Sequence, residues 1–139
     1  MMATANGTAT MTSWVETPPH DAGLEAPRLA HALVEFAYEG DLVATSTCHY
    51  VLAYRTDGIA SFRGLEQITG DLQGVEGSFI ISQEGTFAGG AIEVRWTVLD
   101  GSGTGSLVGL RGTGGYAVAA GEGEIDGEQR WRWSLDFER

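Results

Sequence analysis

A chain of 139 residues that is 42% apolar and 19% charged has room for one domain with a single hydrophobic core. Its 8 basic and 19 acidic residues give a formal net charge of −11, and so acidic a surface repels the phosphates of nucleic acids and anionic membranes. The single cysteine, Cys48, excludes an intrachain disulfide and indicates no zinc site. The N-terminus "MMATANGTATMT" lacks the features of a signal peptide, and no apolar run approaches the ~20 residues of a membrane helix. We therefore expect a soluble, cytoplasmic protein.

Alternation of apolar and polar residues with a period of two, which is typical of half-buried β-strands, recurs along most of the chain. The segments "AIEVRWTV" (91–98) and "WRWSLDF" (131–137) show it most clearly. Short turn signals that contain Gly or Asp, at 39–41, 56–58 and 89–90, separate the alternating segments. In chain order, the predicted strands are 7–17, 28–39, 42–54, 59–69, 77–87, 90–98, 105–109, 113–120 and 129–137.

About nine short strands with few helices predict an all-β fold. We expect an eight- to nine-stranded antiparallel up-and-down barrel, lipocalin-like in shape, with a two-sheet sandwich as the alternative. One such domain accounts for residues 1–139, with residues 1–6 expected to form a disordered tail. The long connection "PPHDAGLEAP" (18–27), with three prolines and two acids, is predicted to be a surface loop over one end of the barrel.

A glycine-rich segment occurs twice. "TGDLQGVEGSF" (69–79) returns 35 residues later as "TGSLVGLRGTGGY" (104–116). We interpret each copy as a tight corner between two strands, where glycine permits a positive φ or a sharp bend. The apolar residues of the two copies are then expected to fold inward and plug that end of the barrel. They are Leu72, Val75, Leu107 and Leu110.

The barrel interpretation places a carboxylate among aromatic side chains. If the even positions of the third and fourth strands point inward, Tyr50, Tyr54 and Glu66 share the lumen, and Gly64 leaves room next to Glu66. Such a carboxylate is desolvated, which disfavours its charged form and prepares it as a general acid or base. We therefore predict Glu66, Tyr50 and Tyr54 as the catalytic residues of any reaction. The alternative is that Glu66 bonds Tyr50 or Arg63 within a purely structural polar network.

Further side chains are expected to line the lumen and to contact a ligand. They are Phe36, Tyr38, Cys48, Phe62, Phe79, Gln83 and Trp96. Two tryptophans of the last strand, Trp131 and Trp133, are expected to close the core with Trp96, and Trp14 is a candidate for the mouth of the cavity.

No motif predicts a cofactor or a metal ion. The three histidines lie on a loop and two different strands, without the spacing of metal ligands. Cys48 and His49 are neighbours on a strand and point to opposite faces, so they do not pair as nucleophile and base. The segment "GSGTG" (101–105) lacks the spacing, the lysine and the following helix of a phosphate-binding loop. We expect no cofactor and no metal.

Several sequence blocks, in their order and spacing, resemble a bacterial family of unknown function. The blocks are "SWVETP" (13–18), "FAYEGDL" (36–42), "YVLAY" (50–54), "FRGLEQITG" (62–70), "GSF" (77–79), "GTFAGG" (85–90), "SGTGSLVGLRGTGG" (102–115) and "WSLDFE" (133–138). Members of that family adopt the barrel first seen in plant allene oxide cyclase, so the resemblance implies a small antiparallel barrel whose cavity opens at one end. A histidine often follows the "GSF" block in the family. This chain has Gln83 there, and an amide does not titrate, which weakens any acid–base role implied for that position.

Related barrels, among them plant allene oxide cyclase and cyclases of bacterial polyketide pathways, close a ring in an apolar, flexible substrate without a cofactor, although fold does not fix function. An eight-stranded barrel has room for one small ligand, so we expect the protein to bind a small, largely apolar molecule in its lumen. One alternative is a cofactor-independent cyclase or isomerase acting on a polyketide- or fatty-acid-like substrate, and another is a structural module without a ligand. We expect no nucleic-acid or membrane partner. An unpaired edge strand or an apolar outer face would permit a homodimer.

Overall fold

The computed structural model describes residues 2–19, 23–122, 124–125 and 128–139. This part of the chain contains nine β-strands and one short 3-10 helix, Gly105–Leu107, between the sixth and seventh strands. The strands are β1 (Ala3–Thr17), β2 (Arg28–Gly40), β3 (Leu42–Tyr54), β4 (Ala60–Leu72), β5 (Val75–Ala88), β6 (Ala91–Val98), β7 (Arg111–Val118), β8 (Glu124–Ile125) and β9 (Glu128–Glu138). The three predicted hairpin turns all lie between consecutive strands, as expected.

Eight of these strands close into a barrel. Strands β1 to β7 pair in chain order, each antiparallel to the next, and β7 then pairs with β9. Strand β9 also pairs with β1, from Phe137 opposite Ala3 to Arg130 opposite Thr10, which completes the ring. The short strand β8 pairs with β9 outside this ring. The prediction of an all-β, antiparallel up-and-down barrel is confirmed, and a two-sheet sandwich is excluded because the barrel strands form one continuous sheet.

Two expectations about strand ends were wrong. Residues 105–109 do not form a strand. The Leu107 amide donates to the Thr104 carbonyl (3.0 Å), and Gly105 has a φ of 58°, which is incompatible with a regular strand. Residues 3–6 are not a disordered tail but the start of β1, because their backbone pairs with the end of β9 and Ala5 is fully buried in the core.

Leucines close one end of the barrel. The buried leucines are Leu72 at the end of β4 and Leu107 and Leu110 in the connection between β6 and β7. Val75 packs against the hydrophobic core that contains them, as predicted from the glycine repeat. Gly77 permits the close approach, since a Cβ there would lie 3.1 Å from Cγ of Leu107. The two copies of the repeat turn different corners. The first is a two-residue turn between β4 and β5, and the second belongs to the longer connection that carries the 3-10 helix.

Every barrel strand has a neighbouring strand on both sides, so the barrel has no open sheet edge. A homodimer that forms by pairing of edge strands, one of the two predicted modes, is therefore excluded for the barrel. The apolar side chains of Val15, Leu33 and Leu65 are exposed on the outer wall, so association through an outer face stays a prediction. Among the described residues, no helix is long and apolar enough to cross a membrane.

Candidate functional site

The lumen is open at the end opposite the leucine plug, where it forms a cavity of about 420 Å³. The walls from β1 to β4 contribute Trp14, Phe36, Tyr50, Tyr54 and Phe62. The walls from β5 to β9 contribute Phe87, Tyr116 and Trp131. Aliphatic side chains fill the gaps between these rings, and they come from Met11, Leu52, Ala60 and Ile92. The two polar side chains on the described wall, Glu16 and Gln129, complete a lining that is otherwise aromatic and aliphatic.

Glycines on neighbouring strands position two of these rings. Tyr50 lies opposite Gly64, and Phe62 lies opposite Gly85. A Cβ at Gly64 would lie 2.7 Å from Cδ1 of Tyr50, and a Cβ at Gly85 would lie 2.8 Å from Cζ of Phe62. Each ring therefore covers the glycine of the next strand, and the two rings meet edge to face with centroids 5.3 Å apart. The space at Gly64 is thus filled by Tyr50, not left free beside Glu66 as expected.

Glu66 lies below this cavity and is fully buried. Its Oε2 accepts hydrogen bonds from the hydroxyl of Tyr38 and from Oγ of Ser46 (2.5 Å). Its Oε1 accepts a hydrogen bond from Nε2 of Gln83, whose own Oε1 accepts one from the hydroxyl of Tyr50 (2.7 Å). These five side chains form one polar network, and four strands contribute to it.

Burial controls protonation in this network. Desolvation raises the pKa of Glu66 to about 7, although the hydrogen bonds from Ser46, Tyr38 and Gln83 stabilise the carboxylate and lower the value. Near neutral pH, the protonated and the ionised forms of Glu66 are therefore both populated. Burial also raises the pKa values of Tyr38 and Tyr50 well above the usual range of a tyrosine. Both hydroxyls therefore stay protonated and can donate hydrogen bonds.

The thiol of Cys48, close to Glu66, is not a reactive one. Cys48 is fully buried, and burial raises the pKa of its thiol well above its ordinary value, with the nearby charge of Glu66 as a second cause. A thiol in this state is a poor nucleophile. His49 points to the outer face while Cys48 points inward, which is the arrangement that the alternation of the strand predicted.

The predicted site residues fall into two groups. Four of them line the cavity, namely Phe36, Tyr50, Tyr54 and Phe62. The other six are buried in the barrel without lining it, and they are Tyr38, Cys48, Glu66, Phe79, Gln83 and Trp96. Tyr50 belongs to both the cavity wall and the network of Glu66, so it joins the two through Gln83.

Two predicted neighbours of Glu66 are not in contact with it. Tyr54 donates its hydroxyl to Oε2 of Glu16 at the mouth (2.5 Å), and burial together with this bond raises the pKa of Tyr54 to about 12. Arg63 points to the outer face, where its guanidinium lies 4.0 Å from Glu84. The expected bond between Arg63 and Glu66 is therefore absent, because Arg63 is at an odd position of β4 and faces solvent.

Sequence reasoning missed Glu16 because of an irregularity in β1. The pairing of β1 with β2 shifts between Met11 and Ser13, which inserts Thr12 as a β-bulge. Inward positions consequently change from odd numbers before the bulge to even numbers after it, and Trp14 and Glu16 both line the cavity. The alternation of the last strand predicted that Trp131 faces inward, but alternation does not say which inward residues border a cavity.

The outer wall carries a larger hollow of about 620 Å³ around Glu84, Arg95 and Gly115. The main chain of several glycines forms part of this hollow. The guanidinium of Arg95 and the carboxylate of Glu84 already form an ion pair there (2.9 Å between Nη2 and Oε1). It lacks the apolar walls of a ligand site, so the lumen is the better candidate.

The loop 18–27 was expected to cover the open end. Residues 20–22, including His20, lie outside the described residues, and none of the described loop residues lines the cavity. Within the described part of the chain, no group of three or more His, Cys, Asp or Glu side chains is placed to hold a metal ion.

Comparison with known proteins gives a family and a fold. The sequence matches the family described as "Protein of unknown function (DUF3224)" over residues 5–128. A solved structure of a DUF3224 protein of unknown function from Shewanella oneidensis MR-1 is similar, with 25% sequence identity and a TM-score of 0.74. The alignment covers 100% of this chain and 99% of that one. No curated protein matches the sequence.

Proposed function

Because this chain belongs to the DUF3224 family, whose description names no activity, we propose its function from the site itself: it binds a small, largely apolar molecule in the barrel lumen. The observation that carries this proposal is the cavity of about 420 Å³, lined mainly by aromatic and aliphatic side chains. Ligand sites typically occupy ~300–1,000 Å³ and combine apolar walls with a few polar groups. An apolar surface that stays open to water is unfavourable and typically marks an interaction site, which favours binding over a purely structural module.

The walls of the cavity are held in place before any ligand arrives. Trp131 packs edge to face on Phe36 (5.9 Å between centroids) and stacks on Tyr116 (5.1 Å). At the mouth, the indole N–H of Trp14 donates to Oε1 of Glu16 (3.2 Å), which orients a ring that is 41% exposed. Preorganised walls lower the entropic cost of binding.

Filling the cavity is expected to prevent binding. In an Ala60→Phe variant, the added ring occupies the lumen, because Ala60 is buried and lines the cavity. We expect the affinity for 1-octanol, measured by isothermal titration calorimetry, to fall at least tenfold, about 1.4 kcal/mol. The matched control is Ser61→Phe, one residue further along β4, where the side chain faces the outer wall. Equal affinities of the two variants and the wild-type protein would place the binding site elsewhere.

A second candidate, a cofactor-free cyclase or isomerase, is favoured by one observation. Glu66, with a pKa of about 7, is connected through Gln83 to Tyr50, whose side chain lines the cavity. A group that titrates near neutral pH suits general acid–base catalysis. Binding is the first proposal because the amide of Gln83 stands between Glu66 and the cavity, and an amide does not pass protons on readily.

Replacement of Glu66 by Gln separates the two candidates. An unconjugated octenone offers a substrate whose isomerisation to the conjugated ketone is followed by ultraviolet absorbance. An enzyme should convert it, and Glu66→Gln should abolish that turnover, while the affinity for 1-octanol stays within roughly tenfold because one hydrogen bond is altered. Turnover that is the same with and without the carboxylate would contradict the enzymatic role of Glu66.

A further inference from the structure

The cavity has a single charged group on its described wall, the carboxylate of Glu16. It is half-buried at the mouth and surrounded by aromatic side chains, which make up eight of the fourteen lining residues. Sites for organic cations in proteins are rich in aromatic rings, because the negative face of such a ring attracts positive charge, and a nearby carboxylate adds to this attraction.

The contacts of Glu16 hold its carboxylate without neutralising it. The hydroxyl of Tyr54 donates to Oε2 (2.5 Å), and the indole N–H of Trp14 donates to Oε1 (3.2 Å). Both donors are uncharged, so the full negative charge remains, and each carboxylate oxygen keeps a further acceptor position. Both donors also belong to rings of the cavity wall, which keeps the charge next to the lumen.

A basic group lies behind one ring of that wall without lining the cavity itself. The guanidinium of Arg28 lies over the ring of Tyr54, 4.2 Å from its centroid, and Arg28 is not among the residues that line the cavity. The whole chain carries a net charge of −11, which adds a negative potential around the opening. An anionic ligand would thus meet repulsion at a distance, and Glu16 is the charge that it would meet on the described cavity wall.

We propose that the ligand of the lumen is an apolar molecule with one positive charge, such as an alkylated amine or a quaternary ammonium compound. Its charged end would lie at Glu16 next to the ring of Trp14, and its apolar part would extend towards Leu52 and Phe62. This inference rests on the proposed function, because it names the chemical class of the molecule that the lumen binds.

Three probes with the same chain length and different charge test the inference, namely octyltrimethylammonium, 1-octanol and octanoate. We expect calorimetric titration at physiological salt to rank them in that order, with the cation at least tenfold tighter than octanoate. Glu16→Gln should weaken the cation at least fivefold and leave 1-octanol within twofold. Glu84→Gln, which removes an equal charge from the outer wall, should change none of the three affinities.

The outcomes distinguish this inference from the proposed function. If 1-octanol and the cation bind equally and Glu16→Gln has no effect, the lumen binds apolar molecules without a preference for charge, and the inference is overturned alone. Tightest binding of octanoate would overturn it as well. If none of the three probes binds, the proposed function fails and this inference fails with it.

Discussion

Replacing Glu66 with alanine is expected to lower the free energy of unfolding by about 3–5 kcal/mol at pH 7. The substitution leaves three buried donors without their acceptor: the hydroxyls of Tyr38 and Ser46, and the amide of Gln83. Each unsatisfied buried donor costs about 1–3 kcal/mol, and the space left by the side chain adds to the loss. Urea denaturation followed by tryptophan fluorescence measures the difference.

The matched control for this experiment is Glu84→Ala. Glu84 is an exposed carboxylate of β5 that pairs with Arg95 on the outer wall, and surface pairs contribute about 0–1 kcal/mol. The free energy of unfolding of Glu66→Gln should lie between those of the two alanine variants, because a carboxamide keeps one acceptor oxygen for the buried hydroxyls. If Glu66→Ala were as stable as Glu84→Ala, the network would contribute nothing to the fold.

Between pH 5 and pH 8, the wild-type protein is expected to lose about 2–3 kcal/mol of stability that the Glu66→Gln variant does not lose. The pKa of Glu66 is raised from 4.5 to about 7 in the folded state. Between these two values the folded protein keeps the proton and the unfolded chain has released it, so a rise in pH favours unfolding. The loss is steepest between the two pKa values, and it ends about one pH unit above the folded pKa, where Glu66 is ionised in both states.

The comparison with Glu66→Gln isolates this group from the other acids, which titrate in both proteins. Denaturation curves at pH 5, 6, 7 and 8 are sufficient. All four pH values lie above the isoelectric point near 4.5, at which the protein carries little net charge. Parallel pH profiles of the two proteins would mean that Glu66 has an ordinary pKa in the fold.

The lumen therefore has two chemically different parts. The mouth is apolar, and its described wall carries one charge, the half-buried Glu16, whereas the deeper part holds a carboxylate whose pKa is about 7. Tyr50 is the side chain that belongs to both. A ligand that displaced its hydroxyl from Gln83 would alter the surroundings of Glu66, so the affinity of a ligand that reaches Tyr50 should depend on pH near 7.

Much of the barrel could be predicted because its determinants are local. Side chains alternate along a strand with a period of two, so the inward positions of β3 and β4, including Tyr50 and Glu66, follow once the strands are located. Glycine and aspartate mark the turns through their own backbone preferences. The burial of Glu66 is a consequence of its position in that alternation.

The remaining features depend on how distant segments meet. The partners of Glu66 are 17, 20 and 28 residues away, and they reach it through the register of three strand pairs and the curvature of the closed sheet. A single inserted residue in β1 turns Glu16 towards the lumen, and no local pattern marks it. Whether an inward ring fills the core or borders a cavity depends on the volume that all eight strands enclose together. Local alternation therefore determined which side chains face inward, and the packing of the closed barrel alone decided which of them surround a space that a ligand can occupy.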